Sequence, residues 1–342
     1  MIISFPDNYQ RPNKTELDSL NQFKSYLTES NKKQNVVYVA FPWAEFIDIS
    51  DQIAAPVEAQ HDPENNKEIY PHLLNGYNYI KERISNLGKD VHIFTSCQHV
   101  WAFAKIHRHF FKNLNIKTIF WSHLPRETNS NSYRQNHLLF KKEELKSFKE
   151  TFNILPYYLY PVQVPNTISK EEYFSERSTL ISFQGSKGDE WYLDNIREKI
   201  SKIPSDDLVN IILKDNWHYQ GIIFAHKNNK NFLDNTYVNL LKNSEYTLCP
   251  IGTGHNSIRL WEAINAGTIP VFVDNYPELY EVCDTKLADN CIFIRSHDLK
   301  DIKQILLKNK KNLSKMRKNL YKISLKLTSN RTINLQRYYE KI

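Results

Sequence analysis

The stretch YTLCPIGTGHNSIRLWEAINAGTIPVFVDNY, residues 246–276, decides the fold class. Tyr246–Pro250 is a short apolar run and predicts a strand. Gly252 and Gly254 follow in a loop free of bulky side chains. Ser257 stands where a helix N-cap belongs, and Ser257–Ala266 predicts a helix. Gly267 ends it, and Ile269–Val273 predicts a buried strand. Strand, glycine loop, helix, glycine and strand make one parallel crossover unit. Arg259 falls in the first helical turn, where free N–H groups and a guanidinium suit a diphosphate. Glu262 lies one turn on and could accept hydrogen bonds from the vicinal hydroxyls of a ribose. The same spacing equally fits a surface Arg259–Glu262 ion pair, and a glycine loop before a helix is a weak signal alone.

Working outward, the same alternation recurs. Val36–Phe41, Val91–Phe94 and Lys117–Trp121 predict strands, with helices expected over Tyr70–Leu87 and residues 99–112. Leu155–Asn166 holds three prolines and reads as an extended connector. Beyond it, strands are expected at Thr179–Phe183 and Leu208–Leu213, with helices over about Asp189–Ile203 and Asn231–Leu241. The order predicts an α/β protein with two Rossmann-like domains facing across a cleft, ligands binding beyond the carboxyl ends of the strands. The expected boundaries are 1–166 and 167–325, with a C-terminal helix, 326–342, packing back towards the first domain.

The 246–276 block resembles the C-terminal motif of exostosin-type glycosyltransferases. Cys249, Pro250, Gly252, Ser257, Arg259, Glu262, Ala263, Ala266, Gly267, Ile269, Pro270 and Val271 match it without a gap. Weaker similarity extends over VVYVAFPW, LGKDVHIFTS (displaced by one residue at His92), YPVQVPN and RSTLISFQGS. The resemblance implies a GT-B fold and an inverting transfer from a nucleotide sugar, chiefly UDP-linked, to a glycan. It places the donor in the C-terminal domain, with Ser257 and Arg259 near the diphosphate and Glu262 near the ribose. It places the acceptor in the N-terminal domain. Family members in eukaryotes usually carry an N-terminal anchor. Residues MIISFPDNYQRPNK show neither an anchor nor a secretory signal, so a bacterial or viral cytoplasmic enzyme is expected, with bacterial surface polysaccharide synthesis (capsule or lipopolysaccharide) as its setting.

Inversion needs a stabilised leaving diphosphate and a base for the acceptor hydroxyl. Arg259 is the first candidate cation. Lys187, beside Gly185 in the loop after a strand, is a second, and Lys214 a weaker third; both equally read as solvated lysines. His99, Glu45 and Asp48, close after strand ends, are the candidate bases, with His123 behind them. No Asp-x-Asp triplet of the metal-dependent kind occurs, so no metal or other cofactor is expected. His107, His109 and His123 have spacings that suit surface histidines better than a metal site. Trp43, Trp101, Trp121 and Tyr160 fall near strand ends, where they serve either the core or sugar stacking.

The chain has 342 residues and a formal charge of +7. From Lys300 onward, thirteen Lys and Arg face only Asp301 and Glu340, a net +11, which leaves −4 elsewhere. A mildly acidic body argues against nucleic acid as a partner. The helical spacing of Leu313, Met316, Leu320 and Ile323 leaves a lysine face. That face is either simply solvated or a peripheral contact with an anionic membrane carrying lipid-linked acceptors, or with an anionic polysaccharide. Cys97, Cys249, Cys283 and Cys291 form no metal-spaced pair and fit free thiols in a reducing compartment. Two other readings remain: a fucosyltransferase-like GT-B enzyme using GDP-fucose, whose motif also ends in A-G-x-[IV]-P-V, and a non-catalytic glycan- or nucleic-acid-binding protein.

Overall fold

A computed structural model describes residues 1–5, 14–56, 63–88, 90–126, 142–188, 192–215, 234–282 and 284–342. The chain is α/β, with two five-stranded parallel sheets in two compact units. The first unit takes its described residues from Met1–His123, Leu138–Tyr157 and Thr332–Ile342, the second from Leu124–His137 and Tyr158–Arg331.

In the first unit the strands are β1 (Ile2–Ser4), β2 (Val36–Ala40), β3 (His92–Cys97), β4 (Thr118–Trp121) and β5 (Asn153–Pro156), hydrogen-bonded in that order. Every residue of β2 and β4 is buried, as expected of strands covered on both faces. One face packs Tyr38 and Phe94 against Phe23 of the Thr15–Tyr26 helix and against Tyr339. Elsewhere Phe41, Trp43, Phe46, Tyr77, Phe110 and Phe111 join the Trp43–Ala54, Pro63–Ser85 and Lys105–Asn113 helices. Trp43 and Trp121 are fully buried, so these two aromatics belong to the core.

The second unit's sheet runs β12 (Ile292–Ile294), β9 (Ile269–Val273), β8 (Ser244–Leu248), β6 (Thr179–Ser186), β7 (Val209–Lys214). A two-stranded antiparallel ribbon, β10 (Glu281–Val282) with β11 (Thr285–Lys286), lies between β9 and β12 in the chain. The Ile258–Ala266 helix joins β8 to β9 and is C-capped by Gly267 at φ 75°. A Cβ at Gly267 would also lie 2.8 Å from the Arg177 guanidinium, so both conformation and space require glycine.

The chain crosses between units at 157/158 and 331/332, rather than at the expected 166/167 and 325/326. Hydrogen bonding explains both positions. The connector is held by the second unit, where Asn265 donates to Val164 O and Glu262 accepts from Val162 and Gln163 N–H. The C-terminal segment is two helices, not one. Leu313–Ser329 belongs to the second unit, and Ile333–Lys341 to the first, where the Tyr338 hydroxyl meets Thr118 Oγ1 and His92 Nε2.

Several elements differ from expectation. Asn153–Pro156 is a strand where the prolines suggested only a connector, and the Thr15–Tyr26 and Trp43–Ala54 helices were not anticipated. Residues 101–103 are turn, and the helix expected from 99 begins at Lys105. The Asp189–Ile203 helix reduces, among described residues, to Ile196–Ile200. Residues 189–191 and 231–233, within two of the expected helices, lie outside the described residues, as does Cys283. Cys97, Cys249 and Cys291 are buried free thiols.

Candidate functional site

The carboxyl end of β6 organises the second unit's site. Gln184, Gly185 and Ser186 end that strand, and two guanidiniums converge on it. Arg259, from the first turn of the Ile258–Ala266 helix, donates from Nη2 to Gln184 O. Arg197, from the Ile196–Ile200 helix, donates from Nη1 to Ser186 O at 3.2 Å. A Cβ on Gly185 would lie 3.0 Å from Arg259 Nη2 and 3.2 Å from Arg197 Nη1. Glycine at 185 is therefore what lets both cations reach one strand end. Phe183 lies under both, with its ring centroid 4.6 Å from Arg259 Cζ and 5.6 Å from Arg197 Cζ. Tyr192 stacks on Arg197 at 4.4 Å. These faces hold the guanidiniums by cation–π attraction without neutralising them.

The two arginines are only 6% and 9% exposed. Neither forms an ion pair with a carboxylate among the described residues, and Arg259 Nε and Nη1 and Arg197 Nε have no hydrogen-bond partner. Burial, reinforced by the neighbouring Arg259 and opposed by Tyr192 and Asp194, pulls the Arg197 guanidinium down to about 10. Buried charges are ordinarily paired, and two like charges on one strand end raise the cost. The arrangement is one that an anion with several oxygens would complete.

The second half of the cradle is the 249–257 loop. Gly252 accepts from Leu193 N–H and lies 3.7 Å from Arg197 Nη2, measured from the Cβ a side chain would add. Ser257 holds the N-cap position, but its hydroxyl makes no cap hydrogen bond, contrary to the expected role. Asn256 instead fixes the helix start by accepting from Trp261 Nε1 at 3.1 Å.

Glu262 is used differently from the expectation. Its carboxylate is 3% exposed and fully engaged within its own unit. Oε1 accepts from Val162 N–H at 3.0 Å and Gln163 N–H at 2.7 Å, and Oε2 accepts from Tyr237 Oη at 2.7 Å. Burial raises its pKa above the usual carboxylate range. It is a buried tie between the connector and the Asn235–Lys242 helix, so the surface ion pair is not what the structure shows.

The two lysines are spoken for. Lys187 pairs with Asp215 at 2.7 Å in the open, and Lys214 pairs with Asp234 at 2.7 Å. Asp234 also accepts from Gln184 Nε2 and caps the Asn235–Lys242 helix by accepting from Tyr237 N–H. Arg197 was missed by the sequence reading. Its one available signal is a parallel with Arg259: each stands in the first turn of the helix that follows a strand and a glycine-bearing loop.

In the first unit, Glu45 and Asp48 occupy the opening of the Trp43–Ala54 helix, just past β2, and His99 lies just past the adjacent β3. Glu45 and His99 are buried, and Asp48 accepts from Gln52 Nε2. His99 Nδ1 accepts from Trp101 N–H at 3.2 Å. Burial pulls His123 down to about 3, so that ring is neutral. His107 is buried rather than at the surface, with Nε2 against Asp51 at 2.7 Å and Nδ1 against Trp101 O. Among the described residues no group of three His, Cys, Asp or Glu could hold a metal ion. A residue not singled out from sequence ties the strand ends together: buried Glu16 accepts from Ala44 N–H after β2 and from Gln98 N–H after β3.

Residues 10–308 match the Exostosin GT47 domain. No curated protein matches the chain. Among solved structures, it is similar to an alpha-glucosyltransferase in complex with UDP-glucose and DNA, at 10% identity and TM-score 0.43, covering 94% of this chain and 83% of that one. It is similar to WaaG, a glycosyltransferase involved in lipopolysaccharide biosynthesis, at 15% identity and TM-score 0.41, covering 100% and 99%. It is also similar to the trehalose-6-phosphate synthase OtsA, at 11% identity and TM-score 0.36, covering 79% and 77%.

Proposed function

The chain belongs to the exostosin GT47 glycosyltransferase family, and from that premise we propose that its second unit binds a UDP-sugar by the diphosphate and that the enzyme transfers the sugar, with inversion, to a glycan acceptor. The observation that carries the reading is the pair of buried guanidiniums, Arg197 and Arg259, gathered on the end of β6 with no ion-paired carboxylate among the described residues. In the transfer, an acceptor oxygen forms a bond to the anomeric carbon. The bond from that carbon to the diphosphate breaks, and its electron pair leaves with the phosphate oxygen. Charge accumulating there is met by two fixed cations and by the first-turn N–H groups of the Ile258–Ala266 helix. Because these donors are in place beforehand, little reorganisation accompanies the reaction. Two cations of this kind supply the charge that a metal would otherwise bring, and the reaction proposed is metal-independent.

The acceptor hydroxyl proton goes to a base of the first unit. Glu45 and Asp48 are the better placed chemically. His99, whose Nδ1 already accepts from Trp101 N–H, is the third candidate. Surface polysaccharide synthesis (capsule or lipopolysaccharide) in a bacterial cytoplasm is the setting proposed for such an acceptor.

A donor-hydrolysis screen tests the reading: release of nucleotide from a set of UDP-sugars and from GDP-fucose, with and without EDTA. UDP release from at least one UDP-sugar, unaffected by EDTA, is expected. Release from GDP-fucose alone would transfer the assignment to a fucosyltransferase-like activity, and no release from any donor would overturn the enzymatic reading.

A further inference from the structure

The Leu313–Ser329 helix carries a surface that the donor reading does not use. Its inner face buries Leu313, Met316, Leu320, Ile323 and Leu327. Opposite that face, Lys315, Lys318 and Lys322 stand at successive turns, and Lys311 continues the line into the preceding 3-10 turn. All four are exposed, and none forms an ion pair among the described residues. Lys310 and Lys303, nearby, differ in being paired with Glu245 and Asp206.

This is not the usual composition of a merely solvated helix. Such a face ordinarily alternates Glu and Lys at i,i+4, which adds stability, whereas like charges at that spacing take it away. Here Lys311–Lys315, Lys318–Lys322 and Lys322–Lys326 are all like-charge i,i+4 neighbours, with no acid anywhere in the helix. The line runs about 22 Å from Lys311 to Lys326 at the helical rise. Apolar side chains lie level with it. Leu325 is 47% exposed one turn beyond Tyr321, and Tyr321 packs on Phe174, itself 39% exposed, with ring centroids 5.2 Å apart.

We propose that this helix face docks in the plane of an anionic phospholipid bilayer, the lysines meeting headgroup phosphates and Leu325 with Phe174 entering the interfacial layer. The charge selects an anionic partner. The exposed leucine and phenylalanine beside it select a lipid surface over a soluble polyanion, which offers nothing apolar to receive them. The inference stands independently of the donor site.

The test is co-sedimentation of the full chain with vesicles of phosphatidylcholine alone and of an equal mixture with phosphatidylglycerol. Binding to the mixed vesicles only, weakened by salt, is expected. Replacing Lys311, Lys315, Lys318 and Lys322 with Gln should reduce partitioning several hundredfold, from about fivefold per lysine. The same lysines replaced by Arg should bind as the natural chain does. Leu325→Ser should weaken binding by several-fold without changing its salt dependence. All three variants should unfold at or above the natural temperature and keep their nucleotide affinity. No binding to mixed vesicles, equal binding by the Gln variant, or binding to a soluble acidic polysaccharide with none to vesicles would each overturn the proposal.

Discussion

Replacing Glu262 separates two roles that its position in the sequence cannot distinguish. In the structure its carboxylate satisfies three buried donors: the N–H groups of Val162 and Gln163 and the hydroxyl of Tyr237. Glu262→Ala strands all three. An unsatisfied buried donor costs about 1–3 kcal/mol, so the gross penalty for three is about 3–9 kcal/mol. Relief of the desolvation borne by the buried carboxylate returns part of it, leaving about 4 kcal/mol. For a unit of this size that lowers the unfolding temperature by about 10 °C. Glu262→Gln keeps an oxygen for the two N–H groups and offers an amide to the tyrosine hydroxyl, losing only the charge-assisted part, about 1 kcal/mol. Thermal unfolding without nucleotide, followed by circular dichroism, measures both. If Glu262→Ala unfolds within about 2 °C of the natural chain while losing UDP affinity, the buried-tie reasoning is wrong and the carboxylate acts on the ribose.

Further expectations concern the same unit. Gly185→Ala should push the Arg197 and Arg259 guanidiniums outward by a few tenths of an ångström and weaken UDP binding about tenfold, read by calorimetry, with the fold retained; unchanged affinity would remove Gly185 from the site. Pyrophosphate alone should raise the unfolding temperature, because it supplies acceptors for the buried guanidinium N–H groups that have none, and the rise should vanish in Arg197→Ala. Burial raises Asp194 to about 6, from an ordinary value near 3.8. Its folded pKa is the higher one, so its contribution is fully present below about pH 4 and lost as pH rises through about 6, an amount of about 3 kcal/mol. Asp194→Asn should flatten urea-unfolding stability across that window, and a persisting slope would assign it to another group.

Much of this architecture was legible in the sequence, and the exceptions share physical causes. β2, β4 and β9 are nearly continuous apolar runs, and buried parallel strands have that signature. β1 is only three residues long. β5 ends on Pro156, the first of the three prolines of Leu155–Asn166 that argued against any regular element there. The Thr15–Tyr26 helix buries Thr15, Glu16 and Ser19 as well as Leu20 and Phe23, so its inward face does not read as an apolar stripe. At the site, Arg259 and Gly185 sit in recognisable motifs because glycine and a first-turn cation have local reasons to be there. Arg197 is placed by tertiary packing of a five-residue helix, and Glu262 by donors about 100 residues and 25 residues away in the chain. Local spacing alone carries no record of such partners.

The central claim is that Arg259 and Arg197 form the seat of a nucleoside diphosphate. Calorimetric titration of the full chain with UDP, beside Arg259→Ala and Arg197→Ala shown by circular dichroism to be folded, tests it most directly. The account predicts saturable binding by the natural chain and a loss of at least about a hundredfold in each variant, as expected when a charge-assisted contact to phosphate is removed. UDP binding of unchanged affinity in both variants would contradict it.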